Sequence, residues 1–504
     1  MPKLYKDILY LIFKELELQY QKKSLVSCLT VDKTWCETVV LILWKNPWIY
    51  YGHNKEELLL NTIISHSTDE ARNNLSQYFN FLTSSSNKPL FNYLSFCRHL
   101  NLEKIENIIK ESCFTHTHFK EIRNSILNLF INENMEYTHL YVSQHFDHRI
   151  VPGAELCFSK VEYLEINGRI NDNILLILTK TCKSIKEVNC FIFEYEYNYR
   201  IAKLIENQKS LINIKLLVDN SHDTKSHEII EKALIKQSNT IQYFNICGRL
   251  ETKVLSSFVN LKILELTGNY DGRGLKWDNT SGLFLPSLQT LKASNITCDF
   301  LVYLIENSGR QLIEINYHNN YSHFHNIFDN RRLIQAIYHN CPNLMYLGIL
   351  YRNDNIVDFE KLLVNCQNLK RLEFFYEHIP QWCEIQQTFY TEWDNLFNIL
   401  IKSPPSLFDF IFKDTEDRPG LESLKLFLDK WEGRQPVSFA FDTRYKKVND
   451  KLVDLIGRYN EKGVVKKYIY YDRYFEDVDL LDIYRAKRDG VTISYPKEPE
   501  TSNY

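Results

Sequence analysis

The chain has 504 residues, 44% of them hydrophobic and 14% aromatic, with 15 glycines and a formal net charge of -3. That length exceeds one ordinary core, so it calls for several domains or a repeating architecture. Near-balanced charge excludes a global field drawing the chain to nucleic acid or an anionic membrane, and scarce glycine argues against glycine-rich phosphate-binding turns.

Twelve cysteines are present, but a disulfide framework is not expected. The start, Met1-Pro-Lys-Leu-Tyr-Lys-Asp7, has no apolar stretch of a secretion signal, and no apolar run reaches the roughly 18 residues of a membrane helix. A reducing compartment, cytoplasmic or nuclear, with free thiols is the expectation.

Residues 4 to 16 place Leu4, Ile8, Leu9, Ile12, Phe13 and Leu16 at the spacing of an amphipathic helix. Ser24 is the expected cap of a second short helix carrying Leu25, Val26, Cys28, Leu29 and Val31. Asp32 is the expected cap of a third, through Trp35 and Val39 to Leu43 and Trp44, which Pro47 stops. Three helices in residues 1–48 make a very small core of the kind that leans on a partner.

Leu4, Asp7-Ile8-Leu9, Ile12-Phe13, Leu16, Leu25, Cys28-Leu29, Val31 to Trp35 and Leu43-Trp44 together resemble the F-box. Thr34-Trp35-Cys36-Glu37 followed by Leu43 to Pro47 is similar to the expanded F-box families of soil fungi. The resemblance implies docking to the Skp-type adaptor of a cullin ubiquitin ligase. It implies too that Leu4, Ile8, Phe13, Leu16 and Val31 are shared between the small core and the adaptor groove.

Residues 49–135 read as a mostly helical junction that caps the first repeat, with helices at Glu56 to Ile64, Leu75 to Leu82, Leu102 to Ile109 and Phe119 to Phe130. Thr83 to Pro89 reads as a loop, and Tyr93 to His99 as a strand or an irregular first repeat. His116, His118, His145 and His148 lack the spacing of a zinc site, and no metal is expected.

Leu261-Lys-Ile-Leu-Glu-Leu-Thr-Gly-Asn269 reads Leu-x-x-Leu-x-Leu-x-x-Asn, a leucine-rich repeat signature. Weaker copies start at Tyr137, Val161, Ile185, Leu211, Ile241, Leu288, Leu312, Leu344, Leu369, Leu407, Pro436 and Val465, with a mean step of about 27 residues. Only Asn269 and Asn320 stand at the expected asparagine position. Apolar residues two apart in a strand share one face, and each unit buries that face by stacking on a neighbour. Helices such as Leu175 to Thr181, Glu228 to Gln237 and Phe359 to Asn365 are expected on the outer side. Cys182, Cys341 and Cys366 each stand three residues before a repeat start, which resembles the cysteine-containing class of leucine-rich repeats that often follows an F-box. The glycine-rich stretch from Gly268 to Gly274 lacks Gly-Lys-Ser/Thr and reads as a turn.

The expected fold is α/β: the F-box-like unit, then a curved leucine-rich-repeat solenoid over residues 136–475, with parallel strands on the concave face and helices on the convex one. A C-terminal cap, including a short helix near Leu480 to Arg485, and a loose tail fill 476–504. Residues alternating away from the core include Tyr163, Glu165, Phe191, Tyr243, Glu265, His318, Tyr346, Arg371 and Phe375. Aromatics among both charge signs suit recognition of another protein. No Gly-x-Ser-x-Gly, His-Glu-x-x-His or Walker loop occurs, so neither catalysis nor a cofactor is expected. The leading reading is a non-catalytic substrate-recognition subunit of a ubiquitin ligase, binding the adaptor, the cullin core and a protein target. The alternatives are a repeat scaffold unconnected to ubiquitin, and an enzyme whose site no motif reveals.

Overall fold

The computed structural model describes residues 5–18, 22–49, 56–82, 88–113, 118–142, 154–166, 170, 172–192, 198–218, 224–248, 252–268, 282–318, 327–376, 391–413, 418–442, 450–471 and 478–489. Leu4, most of the Thr83 to Pro89 loop, His116, His145, His148, Asn269, Asn320, Gly274 and the tail lie outside those residues. The chain forms two compact units, Met1–Thr240 and Ile241–Tyr504.

Three helices open the first unit: α1 (Lys6–Leu18), α2 (Lys22–Ser27), continued by a 3-10 turn at Cys28–Thr30, and α3 (Lys33–Lys45). Asp32 caps α3 as expected, its carboxylate accepting the Trp35 N–H at 2.9 Å. Ser24 does not cap α2 but lies inside it, because the good helix formers Lys22 and Lys23 start the helix earlier. Leu9, Phe13, Leu25, Val39 and Ile42 close a small core, with Leu16, Cys28, Leu29, Trp35 and Leu43 packed against it. Trp35 meets Phe13 edge-on at 5.2 Å, and Lys6 pairs with Glu37 at 3.2 Å, so α1 is fastened to α3.

The junction holds α4 (Glu56–Ile64), α5 (Asp69–Ser76), α6 (Tyr93–Phe96), α7 (Leu102–Ser112) and α8 (Phe119–Phe130). The helix expected at Leu75 to Leu82 sits earlier, as α5. Thr68 sets its start by accepting the Ala71 N–H at 3.3 Å, and Phe79 and Leu82 are buried beyond its end.

The parallel ladder begins ahead of residue 136, at β1 (His99–Asn101). It continues through β2 (His139–Val142), β3 (Tyr163–Ile166), β4 (Glu187–Ile192) and β5 (Asn213–Val218), in chain order and all parallel. Beside them run α9 (Ala154–Cys157), α10 (Asp172–Thr181), α11 (Asn198–Glu206) and α12 (Thr224–Lys236). Leu100, Leu140, Leu164, Val188 and Ile214 form one unbroken row. Buried Gln208 pins one coil to the next: its amide donates to the Cys182 carbonyl at 3.1 Å and accepts the Ile185 N–H at 3.1 Å.

The second unit repeats the scheme with β6 (Tyr243–Cys247), β7 (Ile263–Thr267), β8 (Thr290–Ser294), β9 (Glu314–His318), β10 (Tyr346–Leu350), β11 (Arg371–Phe375), β12 (Asp409–Lys413), β13 (Val437–Asp442) and β14 (Val465–Tyr471). The short β15 (Val478–Asp479) turns back antiparallel on β14. The helices are α13 (Thr252–Ser257), α14 (Cys298–Glu306), α15 (Ile327–Asn340), α16 (Ile356–Asn365), α17 (Trp393–Ile401), α18 (Leu421–Trp431), α19 (Asp450–Glu461) and α20 (Leu480–Arg488). Phe244, Leu264, Leu291, Ile315, Leu347, Leu372, Phe410, Phe439 and Tyr468 align in a single row.

One local bond marks the coils. The carbonyl after the repeat start accepts two successive N–H groups from the next coil, as Thr138 does from Glu162 and Tyr163 and Lys262 does from Gln289 and Thr290. Arg98 does the same for Thr138 and His139, which identifies Cys97/Leu100/Leu102 as a further repeat start. One start is corrected. Pro436 is exposed, and Val437 takes the buried place opposite Val465. The register shifts between Val437 and Ser438, leaving Lys466 as an extra residue on β14.

In the later coils phenylalanine replaces leucine. Phe412 stacks between Phe374 at 5.2 Å and Phe441 at 4.8 Å, and Phe441 continues to Tyr468 at 5.2 Å. Gly268 is needed for close approach: a Cβ there meets the Asn295 carbonyl oxygen at 1.9 Å. The triplets therefore lie on adjacent rungs within each unit, and the repeats are of the leucine-rich type.

Candidate functional site

Two surfaces present chemistry. The first is the outside of the N-terminal helices. Leu9 and Phe13 face the small core and Leu16 is half-buried beside them. A second apolar stripe on α1 adjoins that one: Ile8, Leu11, Ile12 and Leu18, 44 to 65% exposed. Val26 and Val31 add exposed apolar surface nearby in the chain, at 51% and 56%. Of twenty large exposed hydrophobic residues among the described ones, eight fall between Tyr5 and Val31. That concentration, not single exposed side chains, is what distinguishes a contact surface from ordinary protein exterior.

The expected adaptor residues thus separate. Ile8 stands on the exposed stripe of α1, and Val31 is exposed beyond the 3-10 turn. Phe13 is fully covered and belongs to the core alone, since its ring is enclosed by Trp35 and its core neighbours. Leu11, Leu18 and Val26 were missed. Reading one apolar arc per helix hid the second, although Leu11 and Leu18 stand seven apart, a helical repeat distance.

The second surface is the open face of the strands. In the first unit it carries an aromatic ladder. His99 stacks on His139 at 3.7 Å, His139 on Tyr163 at 5.3 Å, and Tyr141 meets Tyr163 at 5.3 Å. His99 escaped the sequence reading because β1 had no assigned repeat, whereas His139 and Tyr141 belong to the coil starting at Tyr137 and were not singled out. Tyr163 donates to Glu165 at 2.6 Å, and Asn189 donates to the same carboxylate at 3.2 Å. Phe191 is half-exposed on β4.

Burial, with the neighbouring His139 and Lys45 charges, holds the His99 pKa down to about 3, against an ordinary value of 6.5. Burial lowers His139 as well. A histidine kept neutral in the folded state destabilises the fold once the unfolded chain protonates, so stability is lost as pH falls below 6.5 towards 3. Thermal melts should show a falling Tm from pH 6.5 to pH 5, and His99→Phe should flatten that slope. An unchanged slope would place the acid sensitivity elsewhere.

In the second unit much of the open face is polar and internally paired. Tyr243 and Asn245 both donate to Glu265, at 2.8 and 2.7 Å, and Lys292 lies 3.6 Å from both Glu265 and Glu314. Gly348 leaves a gap in the second row. A Cβ there meets the Asn316 amide at 2.9 Å, and through that gap Asn316 crosses β10 to donate to Glu373 at 3.1 Å. Glu373 is raised by burial, and Lys413 stands 3.9 Å away. Burial works against the Arg371 cation, but its bond to Asp409 at 2.7 Å together with the charges of Asp409, Tyr346 and Glu373 outweighs this and raises its pKa. Arg371 also covers the Tyr346 ring at 5.8 Å.

Most expected face residues are placed on the face, with one correction. Phe375 is 7% exposed, its ring against His318 at 4.6 Å, so it is packing and not a target contact. Cys182, Cys341 and Cys366 are buried, and burial pushes the Cys182 thiol up to about 11 and Cys366 to about 12. Thiols held protonated fill space and are poor nucleophiles. Among the described residues no group of three or more His, Cys, Asp or Glu is placed to hold a metal, and no helix is long and apolar enough to cross a membrane.

No protein-family model matches the chain, and no curated protein matches it. Among solved structures it is similar to the leucine-rich repeat-containing protein LegL7 from Legionella pneumophila. That likeness has 13% identity over 61% of this chain and 99% of that one, at a TM-score of 0.39. It is also similar to InlP from Listeria monocytogenes, at 14% identity over 47% of this chain and 64% of that one, with a TM-score of 0.23. Neither likeness bears on function, and the repeat class rests on the register and burial of the triplets.

Proposed function

We propose that the protein is a non-catalytic substrate-recognition subunit of a cullin ubiquitin ligase. Its N-terminal helices dock a Skp-type adaptor, and its repeats hold a protein target. The observation that carries the reading is the exposed stripe of Ile8, Leu11, Ile12 and Leu18 beside a closed three-helix core. The work done is tethering: holding a target beside the ubiquitin-charged enzyme raises its effective concentration without chemistry by this chain.

The test is capture of a Skp-type adaptor by the full chain. Leu11→Asp/Ile12→Asp should cost about tenfold or more in affinity, as for truncated hot spots. The melt should stay near wild type, because both residues are exposed. No capture by wild type, or equal capture by both, refutes the adaptor role.

A repeat scaffold unconnected to ubiquitin is favoured by a different observation. The end of α3 is bonded to the first rung: the Lys45 carbonyl accepts the Arg98 N–H at 2.9 Å, and Trp48 donates to the His99 carbonyl at 2.6 Å. That is the work of an end cap.

A further inference from the structure

In the second unit the open strand face deepens into a cleft of about 480 Å³ between β11 and β14. Its apolar floor is Ile411, Ala440 and Ile469, which stand side by side on β12, β13 and β14. Its cationic side chains are Lys370, Arg371, Lys466 and Lys467, against the single carboxylate of Asp409. That carboxylate is already engaged by Arg371 at 2.7 Å.

The three lysines differ from three lysines placed on other strands of the ladder. Lys215, Lys292 and Lys413 each lie within 4.0 Å of a glutamate. Lys370, Lys466 and Lys467 are exposed and have no carboxylate partner among the described residues. Both Lys466 and Lys467 line the cleft, beside the register shift opposite Val437 and Ser438, as the adjacent Lys370 and Arg371 do from an earlier coil.

We propose that this cleft binds an acidic peptide segment of a target protein. The proposal rests on the reading of the repeats as a target-holding face. Arg371, Asp409, Ser438 and Lys467 occupy one row across four strands. At ~4.8 Å per strand that row spans about 14 Å, which four or five extended residues cover. Carboxylates there meet the lysines, and the apolar floor takes a neighbouring side chain. Charge of this kind sets partner choice and encounter rate. A nucleic-acid ligand is disfavoured: the cations are confined to one small cleft on a chain of net charge -3.

The test sorts a displayed library of random 12-residue peptides on the full chain. Recovered peptides should be enriched in Asp and Glu over the input. Lys370→Glu/Lys467→Glu should abolish that enrichment, and the milder Lys370→Ala/Lys467→Ala should reduce it at an unchanged melt. Lys425→Glu, on exposed α18 surface, should leave it intact. Absence of acidic enrichment, enrichment surviving the cleft reversals, or equal loss in Lys425→Glu overturns the proposal. So does single-stranded DNA competing as well as an acidic peptide of equal charge. Adaptor capture is measured on the same variants. Loss of acidic enrichment with capture intact concerns the cleft alone, whereas absent capture by wild type concerns the N-terminal reading.

Discussion

Phe412→Ala should lower the stability of the second unit by about 3–5 kcal/mol, the usual cost of emptying a buried phenylalanine site. The ring is fully buried and has aromatic neighbours on every side: Phe374 and Phe441 in the stack, and Trp393 edge-on at 5.2 Å. Rigid rings cannot collapse into the space as aliphatic chains can, so the cavity persists. Urea unfolding of the full chain measures the loss, with Val364→Ala as a control at a position 63% exposed. Because each coil leans only on its neighbours, damage should spread along the ladder, and proteolysis should first release fragments from the C-terminal coils. A loss below about 1 kcal/mol would mean that the stack is not a structural spine.

Glu106→Ala is the second large effect. Arg123 on α8 lies 3.4 Å from Glu106 on α7, and both side chains are less than 10% exposed. Deleting one partner of a buried ion pair takes the nearest countercharge from the other in a poorly solvating interior, at a cost of up to about 3–5 kcal/mol. The double variant Glu106→Leu/Arg123→Met should recover much of that loss, because apolar residues of similar size remove both charges together. Urea unfolding of the three variants gives the coupling directly. Independent, additive losses would show that the pair does not act as one unit.

The repeat was legible wherever apolar residues recur at the start, fourth and sixth positions. Leu264 and Leu266 fall on β7 with Leu291 and Ala293 beside them, as the spacing demands. Legibility failed where chemistry substitutes for leucine. Cys97 starts a coil, but a thiol does not announce itself as an aliphatic residue, and Tyr93 to His99 was read only as a strand or an irregular first repeat within the junction. Pro436 mimicked a start because a bulge shifts the frame by one, and periodicity cannot show a bulge. Of the face residues, Phe375 obeyed the alternation yet is buried, since alternation gives direction and not cover. The cleft was unreadable for the same reason: Lys370 and Lys467 are 97 positions apart in sequence and meet only through the ladder.

A parallel ladder ends in a row of unpaired amide groups on its last strand, and any passing extended chain can dock there. Here β14 is shielded by the reversed pairing of Val478 and Asp479, after which α20 packs on the same end, with Tyr484 filling the space a Cβ on Gly457 would take. A reversed strand of two residues offers too short an edge for a further chain to extend. The short reversal and the helix behind it therefore work against end-to-end growth into fibres.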